Sequence, residues 1–369
     1  MIKITVSASK EYDVVMERGA LSGIPALMEE AGIIPGKKLC IVADETTNRL
    51  FGGESCDLWQ ALAGAGFDMY RYVFEGGEKS KTMNTITGLL NYLADNRFSR
   101  SDMLIALGGG IVGDVTGFAA ASFLRGVDYI QIPTTLLAIV DSSVGGKTGV
   151  NLDAGKNLAG AFWQPSLVVF DPYVLDTLSY DAMLDGIAEA VKAGFIGDRA
   201  IIDEINALTS AADSDFLTEI AARAVEVKRI VVEEDERDTG SRQLLNFGHT
   251  LAHAIEKLSD YRISHGHAVA MGMVIVSSAA DALEWSEESC SDSIWTILTR
   301  FKFPLDCPYS ARELTRAALA DKKIRGNEIT LVIPRIVGKC RLKTIPTDQL
   351  EEFISCGIQQ LEQLKGKDI

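Results

Sequence analysis

All four histidines of the chain fall between His249 and His267. Imidazole titrates near neutrality and is the commonest metal ligand. His249 and His253 are four residues apart in NFGHTLAHAIE, so on a helix they share a face, which can hold a metal ligand and a proton carrier together. His265, in RISHGHAVAMGM, falls at an expected helix start and could contribute from a neighbouring element. A catalytic zinc centre commonly takes three protein ligands and leaves one position open, and two histidines with one carboxylate are one such set. The candidate carboxylate is Glu189 in GIAEAVKAG, with Lys192 three residues on along the same helical face. Glutamate and lysine at this spacing more often form an exposed ion pair, but the apolar neighbours here argue against exposure.

A second group of residues suits a nucleotide. The strand-like LIAL runs into Gly108-Gly109-Gly110-Ile111-Val112-Gly113, a G-x-G-x-x-G turn that lets backbone approach a pyrophosphate over a helix N-terminus. Asp114 follows it, and GGEKSK at 76–81 offers another glycine turn with Glu78 and Lys81. Gly145-Gly146-Lys147-Thr148 resembles the end of a P-loop, but the required first glycine is Asp141, so that motif is rejected. What remains is a glycine-flexed segment with Asp141, Lys147, Lys156 and Asn157 between apolar runs. Partly buried lysines need an anionic partner.

These residues must be positioned by two kinds of element. Up to residue 176, β-rich runs (KKLCIVAD, SDMLIALGG, YIQIPTT, SLVVFDP) alternate with helical stretches such as 84–96, the pattern of a parallel sheet with crossover helices. Three runs end in Asp44 with Glu45, in the glycine turn, and in Thr134 with Thr135; ligands of open α/β sheets sit at such carboxyl ends. The glycine turn follows a later strand, unlike a standard Rossmann domain. Beyond Asp176, helical periodicity covers 181–195, 215–234, 249–258 and 266–283, while EITLVIPRIVGKCRL reads as a hairpin. The expected fold is α/β: a Rossmann-like nucleotide-binding domain over 1–176 and a mainly α-helical metal-binding domain over 177–369, with a cleft between them.

At 369 residues the chain suits two domains. Its formal charge of −15 argues against non-specific binding to nucleic acid or anionic membranes. No signal peptide or transmembrane stretch is expected. The six scattered cysteines, without a CxxC pair, suit a cytoplasmic protein with reduced thiols.

The runs ALGGGIVGDVTGFAAASFLRG, QIPTTLLAIVDSSVGGKTGVN, GKNLAGAFWQP, AEAVK and LLNFGHTLAHAIE together resemble the 3-dehydroquinate synthase family, from Asp44 to Asp321-Lys322-Lys323. The resemblance implies NAD, a divalent metal (zinc or cobalt), a sugar-phosphate substrate and a homodimer. It implies metal ligands Glu189, His249 and His265, and NAD contacts from Asp44, Glu78, Lys81, Gly109, Gly110, Ile111, Asp114, Thr134, Thr135, Asp141, Ser142, Thr177 and Leu178, with Lys147 and Lys156 beside them. It also implies a substrate pocket of Arg125, Lys147, Lys156, Asn157, Lys192, Lys228, Arg242, Asn246, His253 and one of Lys322 or Lys323.

The implied reaction converts 3-deoxy-D-arabino-heptulosonate 7-phosphate to 3-dehydroquinate and phosphate, with NAD recycled in each turnover and His253 moving protons. Three positions depart from the family pattern. His265-Gly266-His267 stands where His-Gly-Glu is usual, Asp185 precedes Gly186 where Asn is frequent, and Ala252 loosens the GHTxGH pattern. The competing expectations are another sugar-phosphate cyclase, a metal-dependent polyol dehydrogenase, which would release NADH, and a catalytically silent NAD-binding scaffold.

Overall fold

A computed structural model of the chain describes residues 1–208, 214–320 and 327–366. It divides into two units, Met1–Ser179 and Tyr180–Ile369.

The first unit is built on β1 (Ile2–Ser7), β2 (Glu11–Met16), β3 (Lys38–Asp44), β4 (Asp68–Phe74), β5 (Met103–Gly108), β6 (Asp128–Pro133) and β9 (Leu167–Phe170). These seven form one sheet in the order β1-β2-β9-β6-β5-β3-β4. Only the edge pair β1 and β2 is antiparallel; the remaining neighbours run parallel. All six residues of β5, MLIALG, are buried, which is why this strand reads as an unbroken apolar run rather than an alternation. Helices α1 (Ala20–Glu30), α2 (Glu45–Thr47), α3 (Asp57–Gly64), α4 (Met83–Asp95) and α5 (Gly110–Ser122) supply the connections. Val112, Val115 and Ala119 of α5 pack with Ile86 and Leu89 of α4 and Leu104 of β5 in one core cluster.

The chain crosses from β3 outward to β4 but from β5 the opposite way to β6. The carboxyl ends of adjacent β3 and β5 therefore flank a topological switch point, where open α/β sheets hold ligands. The glycine-flexed segment after Asp141 folds as a hairpin that periodicity did not reveal, β7 (Lys147–Leu152) against β8 (Gly155–Phe162).

The second unit contains α6 (Tyr180–Ile196), α7 (Arg199–Ala207), α8 (Ser214–Glu234), α9 (His249–Leu258), α10 (His265–Ala282), α11 (Cys290–Arg300), α12 (Ala311–Leu319) and α13 (Leu350–Lys365). The expected hairpin is present as β10 (Glu328–Ile336) and β11 (Lys339–Pro346). Every residue of α10 from Gly266 to Ala280 is buried, so this helix is apolar on all sides and central to its unit. Helices α6, α9, α11 and α13 pack around it.

Candidate metal and nucleotide sites

In the first unit, the strand ends deliver the residues expected to meet a nucleotide. Asp44 ends β3, and its Oδ1 accepts from the backbone N–H (2.8 Å) and hydroxyl (3.0 Å) of Thr47, capping α2. Gly109 is the N-cap of α5 and provides no side-chain cap, so the first amides of that helix, on Gly110 and Ile111, have no intrahelical acceptor and carry the positive end of its dipole. Thr134 follows β6, its N–H bonded to the Gly108 carbonyl (3.0 Å), and the Thr135 hydroxyl accepts from Ala138 (3.1 Å). Asp141 and Ser142 lie in the turn Ala138–Ser142. Beyond β9, Asp171 caps the turn Pro172–Thr177, which leads to Thr177 and Leu178.

The turn of Glu78 and Lys81 is joined to the β7–β8 hairpin. Buried Lys81 pairs with Asp114 and donates to Asn157 Oδ1 (2.6 Å). Glu78 Oε1 accepts from Asn151 Nδ2 (2.7 Å) and lies 3.5 Å from Lys156 Nζ. Asn151 Oδ1 in turn accepts the Asn157 N–H (2.9 Å). Asn151 thus fixes two expected ligand residues, a role its sequence position did not reveal. Asn157 (φ 51) and Arg125 (φ 68) hold left-handed backbone, a strained state that clusters at functional sites. Lys147 opens β7 with its side chain exposed.

In the second unit, α6, α9 and α10 bring Glu189, His249 and His265 together, with one ligand atom of each within 4.8 Å of the others. Glu189 Oε1 is 3.6 Å from His249 Nε2 and 3.4 Å from His265 Nε2. Ligands about 2.05 Å from a tetrahedral zinc stand about 3.3 Å apart, so both histidine nitrogens are close to coordination spacing from Glu189 Oε1. Buried Glu189 Oε1 accepts no hydrogen bond among the described residues, an arrangement that is costly unless a cation shares the site.

The far side of each ring is tied down. His249 Nδ1 faces the Phe247 carbonyl at 3.2 Å, and His265 Nδ1 faces Glu256 Oε2 at 3.4 Å. Each contact favours a proton on Nδ1 and a lone pair on Nε2 directed toward the other donors. Burial disfavours a charged His265, but Glu189 and Glu256 outweigh it and raise the imidazole pKa to about 10. Lys192 Nζ lies 2.5 Å from Glu189 Oε2, on the carboxylate oxygen that does not face the histidines. Glu256 was not singled out in the sequence, although it lies seven residues after His249 and so on the same helical face.

Close packing sets the helix spacing. A Cβ on Gly272 would lie 2.2 Å from the Gly248 carbonyl, and Gly248 (φ 78) has room for none against Met273. This contact seats the start of α9 on α10. The His253 ring centre is 5.6 Å from that of His249 and 6.5 Å from that of His265, beside the ligands. Lys228 on α8 and Arg242 in the turn Ser241–Asn246 are buried, and both elements pack on α6. Arg242 Nη1 donates to the Glu236 carbonyl (2.6 Å), and Asn246 ends that turn, two residues before Gly248. Lys322 and Lys323 lie outside the described residues.

The fold is shared with solved cyclases. A 2-deoxy-scyllo-inosose synthase solved with carbaglucose-6-phosphate, NAD+ and Co2+ superimposes with TM-score 0.85 at 23% identity over 96% of this chain and 99% of its own. A 2-epi-5-epi-valiolone synthase from Streptomyces hygroscopicus subsp. jinggangensis, solved with NAD+ and Zn2+, gives TM-score 0.84 at 26% identity over 98% and 99%. Fold and donor set define the class: an α/β sheet of nucleotide-binding type followed by a helical unit with a two-histidine, one-glutamate centre.

Within that class, the chain belongs to the 3-dehydroquinate synthase family. Residues 71–185 match the family's N-terminal model and 186–324 its C-terminal model. The 3-dehydroquinate synthase of Streptococcus gordonii is 40% identical, over 93% of this chain and 96% of its own length. That of Enterococcus faecalis is 38% identical, over 96% and 99%.

Proposed function

We propose that the chain converts 3-deoxy-D-arabino-heptulosonate 7-phosphate to 3-dehydroquinate and phosphate, the 3-dehydroquinate synthase step of the shikimate pathway. The observation that carries this reading is the coordination-ready trio Glu189, His249 and His265 in a chain of that family. When bound, NAD supplies a reversible hydride acceptor and zinc or cobalt a Lewis acid that acidifies a substrate hydroxyl.

The residues divide the work. Glu189, His249 and His265 hold the metal. The amides of Gly109, Gly110 and Ile111, with Asp44, Glu78, Lys81, Asp114, Thr134, Thr135, Asp141, Ser142, Thr177 and Leu178, hold the nucleotide. Arg125, Lys147, Lys156, Asn157, Lys192, Lys228, Arg242 and Asn246 bind and orient the substrate's phosphate and carboxylate. Their six cationic side chains suit an anionic ligand in a chain of net charge −15. His253, one helical turn from His249, moves protons at the reacting carbons.

The resemblance and the unpaired thiols support a cytoplasmic homodimer. No helix among the described residues is long and apolar enough to cross a membrane. The test is phosphate release from the heptulosonate phosphate with and without NAD and chelator. Release that needs both NAD and metal is expected; none under any condition would overturn the assignment.

A further inference from the structure

Asp185 on α6 and His267 on α10 touch each other. Asp185 Oδ1, on α6, accepts from the Ser264 hydroxyl (2.6 Å), the His267 backbone N–H (3.1 Å) and His267 Nδ1 (2.8 Å). Ser264 is the N-cap of α10 yet makes no side-chain bond to its backbone; its hydroxyl lies 2.7 Å from His267 Nδ1. Asp185 therefore caps α10 from a different helix, satisfying an N–H of the first turn that α10 cannot satisfy itself. Between these bonds the helices are in contact: a Cβ on Gly266 would fall 2.3 Å from the Asp185 Cα.

This joint lies within one turn of the metal ligands on both sides. Asp185 precedes Glu189 by four residues and so shares its helical face, while His265 opens α10 two residues before His267. Contact at Gly266 fixes the distance between the helices, and the three bonds on one carboxylate oxygen fix their rotation. His267 is buried, with its ring 5.3 Å from that of Phe303, so it has little freedom to turn away.

We propose that Asp185 and His267 are positioning residues that set the spacing of Glu189 and His265 for the metal, without ligating it. The proposal rests on the metal reading above. The same link can be made with the roles exchanged, an amide at 185 donating to a carboxylate at 267.

The test uses the whole chain, stripped by chelator, then titrated with Zn2+ against a chromophoric competitor and with Co2+ followed by its ligand-field absorption. His267→Ala and Asp185→Ala are expected to weaken zinc binding by about 10- to 100-fold, the usual cost of losing a partner behind the ligands, and to shift the cobalt spectrum. His267→Asn, whose amide can donate in place of Nδ1–H, and the double variant Asp185→Asn with His267→Glu are expected to stay near the parent. If Asp185→Ala does not fold, His267→Ala against His267→Asn decides. Equal affinities and cobalt spectra in that pair would overturn the proposal, even with a lowered melting temperature. A parent chain whose metal binding is absent, or survives His249→Ala, would overturn the metal reading itself and this proposal with it.

Discussion

Glu256 Oε2 lies 3.4 Å from Nδ1 of His265, on the side of the ring opposite Glu189. The ring is thus held between two carboxylates, one at each nitrogen. Glu256→Gln keeps the shape but removes the acceptor's charge. Zinc affinity is expected to fall by about 10- to 100-fold, measured by competition with a chromophoric chelator.

His249 and His253 occupy one face of α9 with different tasks. His249→Ala should abolish both metal binding and phosphate release. His253→Ala should bind metal normally but lose about 100- to 10,000-fold in turnover, the range of a lost proton carrier. Metal titration beside a phosphate-release assay separates the two, and equal metal loss in both variants would contradict the division.

Asn151 links Glu78 to the Asn157 backbone through its two amide atoms. Asn151→Ala should raise the Kd for NAD by about tenfold, equivalent to one hydrogen bond of about 1.4 kcal/mol. Zinc affinity should not change. Isothermal titration with each ligand checks this.

Asp102 joins the starts of β3 and β5: Oδ1 accepts the Lys38 N–H (2.9 Å), and Oδ2 accepts the Ser99 N–H (2.6 Å) and hydroxyl (2.8 Å). Burial alone would raise its pKa, but these donors hold it below the ordinary carboxylate value. A depressed folded-state pKa stabilises the fold above the unfolded value and is lost as pH falls through the folded one. Asp102→Asn should therefore cost about 1–3 kcal/mol at pH 7, with the difference from the parent narrowing below about pH 4. Urea unfolding at both pH values reads this directly.

A cyclase returns its hydride within each turnover, whereas a polyol dehydrogenase of similar fold would not. Absorbance should show no net NADH while phosphate accumulates. Stoichiometric NADH would favour the dehydrogenase reading.

Much of this arrangement was legible in the residues. Helical periodicity located α6, α8, α9 and α10 to within a residue or two, because amphipathic or wholly apolar helices write their period into the chain. The β10–β11 hairpin was equally plain. The β7–β8 hairpin was not, since its glycines and polar residues break the alternation that marks a strand. The grouping of Glu189, His249 and His265 was legible because histidine is rare and clustered here. Glu256, Asp185 and Asn151 were hidden, because an acceptor one step behind a ligand is defined by contacts across helices or turns that spacing along the chain does not encode. His267 had no assigned role until Asp185, distant in sequence, was seen to meet it.

The burial of α10 has a consequence for biosynthesis. Its first residue is a proposed metal ligand, and part of its surround is α13, formed by Leu350–Lys365. Glu189, His249 and His265 all leave the ribosome well before that final helix. Until it docks, α10 presents to water an apolar flank around Ile275, where Gly357 of α13 packs. The core of this unit should therefore close only after translation of residues 350–365, although the first turn of α10 already has its seat on α6.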